Sequence, residues 1–127
     1  MDWKFKNDLP IYSQLVAQIK LAIVSGIFSP GERLASVRDM ATEAGVNPNT
    51  MQRALQELER EGMVYSQRTA GRFVTEDRNV IDLIKKNLAR EQVKGFLGSM
   101  EKLGYCREEI IALIRENKEE GKNDADT

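Results

Sequence analysis

The chain has 127 residues, of which 41% are hydrophobic, and a formal net charge of −1. This length suffices for one ordinary domain, or for a small domain with an appendage, and it excludes two large catalytic domains. The near-neutral charge argues against a protein that coats nucleic acid through bulk charge, although a local basic patch remains compatible with it because electrostatic fields act locally.

The N-terminal stretch MDWKFKNDLP has no apolar run that could serve as a signal peptide, and nowhere does the chain approach the roughly 18 apolar residues of a membrane span. There is no histidine, and Cys106 is the sole cysteine, which fits a reducing compartment. With no base beside Cys106, nucleophilic catalysis lacks its parts. We therefore expect a soluble cytoplasmic protein that is not an enzyme and uses no membrane, metal or cofactor.

The first predicted helix runs from Pro10 to Ile23, where apolar residues recur every four positions, and it stops at Gly26. A Ser-Pro-Gly turn follows. Ser36 then offers an N-cap side chain to a short helix, VRDMATEA, that ends at Gly45. Two amphipathic helices are thus predicted before residue 45.

A third helix begins almost at once, with Asn47 as its N-cap and Pro48 at the first helical position. It ends at Gly62. Because so few residues join the second and third helices, they must turn sharply on each other, and the sequence predicts a helix–turn–helix.

Two short β-prone pieces, Val64–Tyr65 and Phe73–Val74, follow in MVYSQRTAGRFVT and flank a polar loop that contains Gly71. This pattern predicts a hairpin. Asp77 can cap a further long helix that keeps an apolar face until Gly104, and another helix follows GYCREE.

The predicted fold is mainly α with a small β-hairpin. Residues 1–76 form a winged helix-turn-helix domain, residues 77–120 a short two-helix dimerisation region, and residues 121–127 a charged, disordered tail.

The third helix carries the strongest functional pattern, since a helix–turn–helix reads DNA with the N-terminal residues of its second helix in the major groove. Its polar residues fall on one face of the helical wheel and its apolar residues on the other. The polar set is Asn49, Gln52, Arg53, Gln56 and Arg60, and the apolar set is Met51, Ala54, Leu55 and Leu58. An ordinary capped surface helix would explain Asn47 and Thr50 equally well, but it does not explain a polar face with no acid before Glu57.

Basic residues outside this helix extend the candidate DNA interface. Arg38 lies just inside the second helix, where its side chain could reach the duplex or pair with Asp39 or Glu43. The loop SQRTAGR carries Arg68 and Arg72 around Gly71, which suits a wing on phosphates or a minor groove, although many loops have this composition without binding anything.

The apolar residues of the last two helices either pack on their own domain or join a second copy. Residues 78–120 bury little apolar surface as a monomer, which favours a symmetric dimer. The residues assigned to this interface are Ile81, Ile84, Leu88, Val93, Phe96, Leu97, Met100, Leu103, Ile110, Ile111 and Ile114. Two helices are too few for a closed ligand pocket, although the dimer interface could form one, so any small-molecule effector stays unidentified.

The stretch from PIYSQL to GRFV, residues 10–74, resembles the N-terminal winged-helix domain of the GntR family. The segments SPGERLASVRDMA, GVNPNT and RALQELEREG carry this resemblance. The short two-helix extension and the VNPNT helix opening resemble the YtrA-like subfamily.

This resemblance implies a bacterial transcription factor, usually a repressor, that binds a palindromic DNA operator as a homodimer. The DNA-contacting positions of the family fall on Arg38, Asn47, Pro48, Asn49, Thr50, Gln52, Arg53 and Gly71. Pro48 and Gln52 stand where many relatives carry arginine, and Arg72 replaces a common threonine and could add a groove or phosphate contact.

The sequence therefore predicts a sequence-specific regulator with recognition helix 47–61 and wing 66–72. The alternative is a winged-helix adaptor that binds other proteins and has no DNA function.

Overall fold

A computed structural model describes the backbone of residues 1–126 and the side chains of residues 1–117. Five helices and one two-stranded antiparallel sheet occur in these residues, which confirms the predicted fold class. In chain order they are α1 (Ile11–Val24), α2 (Val37–Ala44), α3 (Pro48–Arg60), β1 (Val64–Gln67), β2 (Gly71–Val74), α4 (Arg78–Lys102) and α5 (Arg107–Asp126). Among the described residues, no helix is both long and apolar enough to cross a membrane.

The chain consists of two compact units, and the boundary between them lies within α4. The first unit contains residues 1–86 and the second begins at Asn87. The core of the first unit lies where α3 packs on α1, with Met51, Leu55 and Leu58 fully buried against Leu15 and Ile19. Full burial of each such side chain contributes about 1.5–3 kcal/mol. The apolar face of α3 is therefore occupied, and its polar face is left outside.

The position of Ile81 in the structure differs from the one that the sequence predicts for it. The sequence predicts it in the dimer interface, but Ile81 is 5% exposed and belongs to the core of the first unit, and Ile84 packs against the same core. Both residues lie in the first turns of α4. Ile81 therefore offers little surface to a partner, whereas Ile84 is half-buried and keeps part of its side chain exposed.

Local capping fixes the turn between α2 and α3. The Ser36 side chain accepts a hydrogen bond from the Asp39 backbone N–H (3.1 Å), and Asn47 Oδ1 accepts one from the Asn49 N–H (2.7 Å). Gly45 ends α2 at φ +73°, a left-handed conformation that favours glycine. Only Val46 and Asn47 separate this glycine from Pro48, so the predicted helix–turn–helix is present.

The hairpin follows α3, with Tyr65 opposite Phe73 and their rings stacked at 5.6 Å. A third segment, which was not predicted from the sequence, pairs with the other edge of β2. Leu34 N donates to Arg72 O and Val74 N donates to Glu32 O, both at 2.9 Å, around a bridge between Arg33 and Phe73. The wing is thus tied to the chain that precedes α2.

In the second unit, α5 begins with a capping bond in which the Cys106 N–H donates to Glu109 Oε1 at 3.0 Å. This backbone hydrogen bond holds the pKa of Glu109 below its ordinary value. The predicted disordered tail, residues 121–127, lies outside the residues whose side chains are described and stays a prediction.

Candidate nucleic-acid interface

The outer face of α3 carries the polar side chains that the sequence analysis singled out. Asn49 and Arg53 are exposed and Gln52 is half-buried, whereas the neighbouring residues Met51 and Ala54 are buried. Pro48 is exposed and Thr50 half-buried, and Asn47 uses its Oδ1 to cap the helix. The first two turns of α3 therefore present amides, a hydroxyl and a guanidinium on one side.

The side chain of Arg53 contacts a residue of α1. Its guanidinium carbon lies 4.4 Å from the centre of the Tyr12 ring on α1, within the range of a cation–π interaction. Such a contact at a partly exposed site contributes about 0.5–1 kcal/mol and narrows the conformations of a long side chain. Tyr12 therefore orients the charge that Arg53 presents.

Ion pairs neutralise the acidic residues at the C-terminal half of α3. The two acids of this half, Glu57 and Glu59, pair with Arg60 and Arg72, and Glu61, the residue that caps the helix, pairs with Lys20; the distances are 2.8–2.9 Å. Arg60 lowers the pKa of Glu57 through their hydrogen bonds. These negative charges are thus compensated locally, and they do not cancel the positive charge near the start of the helix.

Arg72, for which the sequence predicts a groove or phosphate contact, is bound to α3 in the structure. Its Nε donates to Glu59 Oε1 at 2.9 Å and its Nη1 to Gln52 Oε1 at 3.3 Å, and its side chain is 17% exposed. The hairpin register directs the Arg72 side chain towards α3, and its guanidinium group therefore binds residues of that helix. Arg72 links the wing to the recognition helix within one chain.

The pKa of Glu59 is held below its ordinary value of 4.5, first by the hydrogen bond from the Ser66 hydroxyl and then by Arg72. Because the folded-state pKa lies below that of the unfolded chain, these bonds stabilise the fold above pH 4.5, and this contribution is lost as the pH falls through the lowered value. We expect Glu59→Gln to be less stable than the wild type at about pH 7 and to approach it in acid. Urea unfolding across this range measures the difference; a gap that is independent of pH would contradict the assignment.

Three further arginines lie in α2, in the turn of the hairpin and in the segment that pairs with β2. Arg38 and Arg68 are exposed, and within the described side chains, residues 1–117, neither they nor Arg33 form an ion pair. Arg38 therefore does not make the alternative pair with Asp39 or Glu43. Arg33 lies beside Gly71 at the tip of the wing, and no local pattern in the sequence marked it.

Gly71 adopts a backbone conformation that favours glycine. It has φ +107°, and a Cβ placed there would lie 3.2 Å from Arg33 Nε. We expect Gly71→Ala to destabilise the protein by about 1–2 kcal/mol in denaturant unfolding. Gly95→Ala is the matched control because Gly95 is helical with open space around it, and it should stabilise by about 0.5–1 kcal/mol. Equal stabilities for the two variants would show that the wing tip is not strained.

The residues assigned to a dimer interface do not form part of this polar face. In the second unit several of them are exposed, namely Val93, Phe96, Leu103, Ile111 and Ile114. Leu88, Leu97 and Met100 are half-buried. Ile110 is 1% exposed, so its side chain is already buried within the chain and contributes little to an external surface.

Sequence reasoning missed Tyr12, Glu59 and Arg33 as parts of this site. Their roles depend on partners that only the fold brings close, so no local signal marked them.

Comparison with known sequences supports a specific class of protein. The family model for bacterial regulatory proteins of the gntR family matches residues 11–74. YhcF, an uncharacterized HTH-type transcriptional regulator of Bacillus subtilis (strain 168), is 40% identical over 121 residues, covering 95% of this chain and 100% of YhcF. The HTH-type transcriptional repressor YtrA of the same organism is 35% identical over 112 residues, covering 87% of this chain and 86% of YtrA.

Solved structures agree with the sequence relatives. A GntR family transcriptional regulator from Listeria monocytogenes matches with a TM-score of 0.82 and 39% identity over 88% of this chain and 98% of that one. AraR(DBD), solved in complex with operator ORX1, matches with a TM-score of 0.54 and 25% identity over 59% of this chain and 96% of that one. The chain therefore belongs to the GntR family of bacterial regulatory proteins, in its YtrA-like subfamily, and is a DNA-binding transcriptional regulator rather than an enzyme.

Proposed function

We propose that this protein is a homodimeric repressor of a palindromic operator. The start of α3 enters the major groove of each half-site, and the wing lies on the backbone or in the minor groove. Half-sites are then about one helical turn, roughly 34 Å, apart.

The observation that carries this proposal is the charge distribution around α3. Asn49, Gln52 and Arg53 lie on its outer face, while its two acids and the acid that caps its C-terminal end are each paired with a base. Amides and guanidinium groups are the side chains that pair with base edges. Because the acids are paired, this surface is locally basic although the whole chain has a net charge of −1. A local basic surface is sufficient to attract DNA.

Beside α3, Arg38 and Arg68 supply charges suited to phosphates, and the N–H groups at the start of α3 favour an anion. Arg72 is left out of this set because Glu59 already holds it.

The dimer is supported by the apolar surface of the second unit. Val93, Phe96, Leu97 and Met100 recur at helical spacing along α4, Leu103 follows directly after its last residue, and Phe96 is 43% exposed. Exposed apolar residues at this density are unusual for a monomer and suit a self-complementary interface. We assign the interface to these residues together with Leu88, Ile111 and Ile114.

Relatives support the regulatory role. The name of YtrA describes a repressor, and the AraR(DBD) structure contains an operator. The present chain is similar to both, and repression is proposed here on that basis.

The test is selection of operators from a random DNA pool by the full chain, together with sedimentation analysis. We expect enriched inverted repeats, a dimer in solution, and binding that weakens steeply as salt rises. A pool without enrichment would overturn the proposal and favour the protein-interaction adaptor. Enriched single half-sites bound by a monomer would overturn the dimer alone.

A further inference from the structure

A chain of hydrogen bonds joins the wing to the recognition helix. Arg72 of β2 stands opposite Ser66 of β1 in the hairpin register, so both side chains leave the same face of the hairpin. Both donate to Glu59 Oε1 on α3, with the Arg72 Nε at 2.9 Å. Arg72 Nη1 then donates to Gln52 Oε1 at 3.3 Å. The guanidinium is thus held at two points on α3.

This contact decides which way the Gln52 amide points. A guanidinium group has five donors and no acceptor, so the atom of Gln52 that faces it is the carbonyl oxygen. The amide is planar, so its nitrogen, with two hydrogens, points away from Arg72. Gln52 therefore offers donors on its free side, while its oxygen is engaged by Arg72.

Guanine and adenine differ in the hydrogen-bonding atoms that they present to the Gln52 amide. Guanine presents two acceptors, N7 and O6, in the major groove, whereas adenine presents the N7 acceptor beside the N6 donor. A glutamine that pairs with adenine at two points needs its own oxygen free to accept from N6. Resting on the proposed function, we infer that Arg72 positions the Gln52 amide so that Gln52 reads guanine and discriminates against adenine.

This assignment differs from the amide-to-adenine pairing that the residue type alone suggests. Glu59 takes part through Arg72: its carboxylate holds the guanidinium, and the guanidinium orients Gln52. Arg72 and Glu59 are positioning residues that contact no base. Both act on the identity of one base pair rather than on overall affinity.

Operator selection with the wild type and Gln52→Ala tests the inference. The position whose base preference disappears in Gln52→Ala is the one that Gln52 reads. There we expect the wild type to favour guanine over adenine by about tenfold. Arg72→Met removes the donors and frees the amide to turn, so we expect the ratio at that position to fall to within about twofold of parity or to favour adenine.

Arg68→Ala is the matched control, because Arg68 lies in the turn of the same hairpin, while the hydrogen bond to Gln52 Oε1 comes from Arg72. It should leave the guanine-to-adenine ratio unchanged. Thermal unfolding checks that Arg72→Met folds; if it does not, the base that the wild type selects at this position decides alone, since the two orientations of the amide select different purines.

A wild-type preference for adenine at this position, or a guanine preference that survives Arg72→Met, would overturn the inference. In either case an enriched inverted repeat would leave the proposed function standing. A pool without any enriched repeat would overturn the proposed function and this inference together.

Discussion

Replacing Arg53 by alanine should weaken binding to the selected operator by about 10- to 100-fold, within the 1–3 kcal/mol by which a bidentate contact discriminates between bases. Arg53 is exposed on the second turn of α3, and its guanidinium is held over the Tyr12 ring at 4.4 Å. A pre-oriented guanidinium loses little conformational freedom when it pairs with guanine. Gel shifts on the operator and on random DNA of equal length measure the effect, and binding to random DNA should change little.

Two other arginines serve as controls for this prediction. Arg60 lies on the same helix but is paired with Glu57, so Arg60→Ala should leave operator affinity close to that of the wild type. Arg68 is an exposed wing residue, so Arg68→Ala should weaken operator and random DNA alike and reduce the salt dependence. Equal losses on both DNAs for Arg53→Ala would mean that Arg53 contacts a phosphate and reads no base.

The helix boundaries near α3 were predictable because short-range chemistry sets them. Ser36 and Asn47 cap helices whose first N–H groups lie two or three residues away, and Gly45 is needed by its own backbone angle. Pro48 fits the first helical position, where its missing N–H costs nothing. Each of these effects is contained within a few consecutive residues, so the sequence alone carries it.

The network around the wing could not be predicted in this way. Arg72 and Glu59 meet because α3 and the hairpin pack together, and Arg33 reaches Gly71 because residues 32–34 pair with β2. Positively and negatively charged side chains often occur in loops without such partners, so the residue type alone does not identify these contacts. The consequence is functional, since the sequence predicts Arg72 as a DNA contact, whereas its partners in the fold are the basis on which we infer that it orients Gln52.

The apolar pattern of α4 was predictable, but the division of its residues between two roles was not. Periodicity places Ile81 and Phe96 in one helical pattern without a break. In the structure Ile81 is 5% exposed in the core of the first unit, whereas Phe96 is 43% exposed in the second. A helix that runs through both units can bury one end within its own chain and leave the other for a second copy.

Phe96→Asp should therefore have the largest effect on assembly. In a symmetric interface the substitution introduces two carboxylates, each buried without a partner, so we expect the dimer dissociation constant to rise by at least about 100-fold. Operator affinity should fall with it, because a monomer engages one half-site at a time. Asn87→Asp, nine positions earlier and on the opposite side of α4, adds the same charge at an exposed site and should leave the dimer intact. Sedimentation velocity over a range of concentrations measures both variants; a Phe96→Asp protein that stays folded and dimeric would show that α4 does not form the interface through this residue.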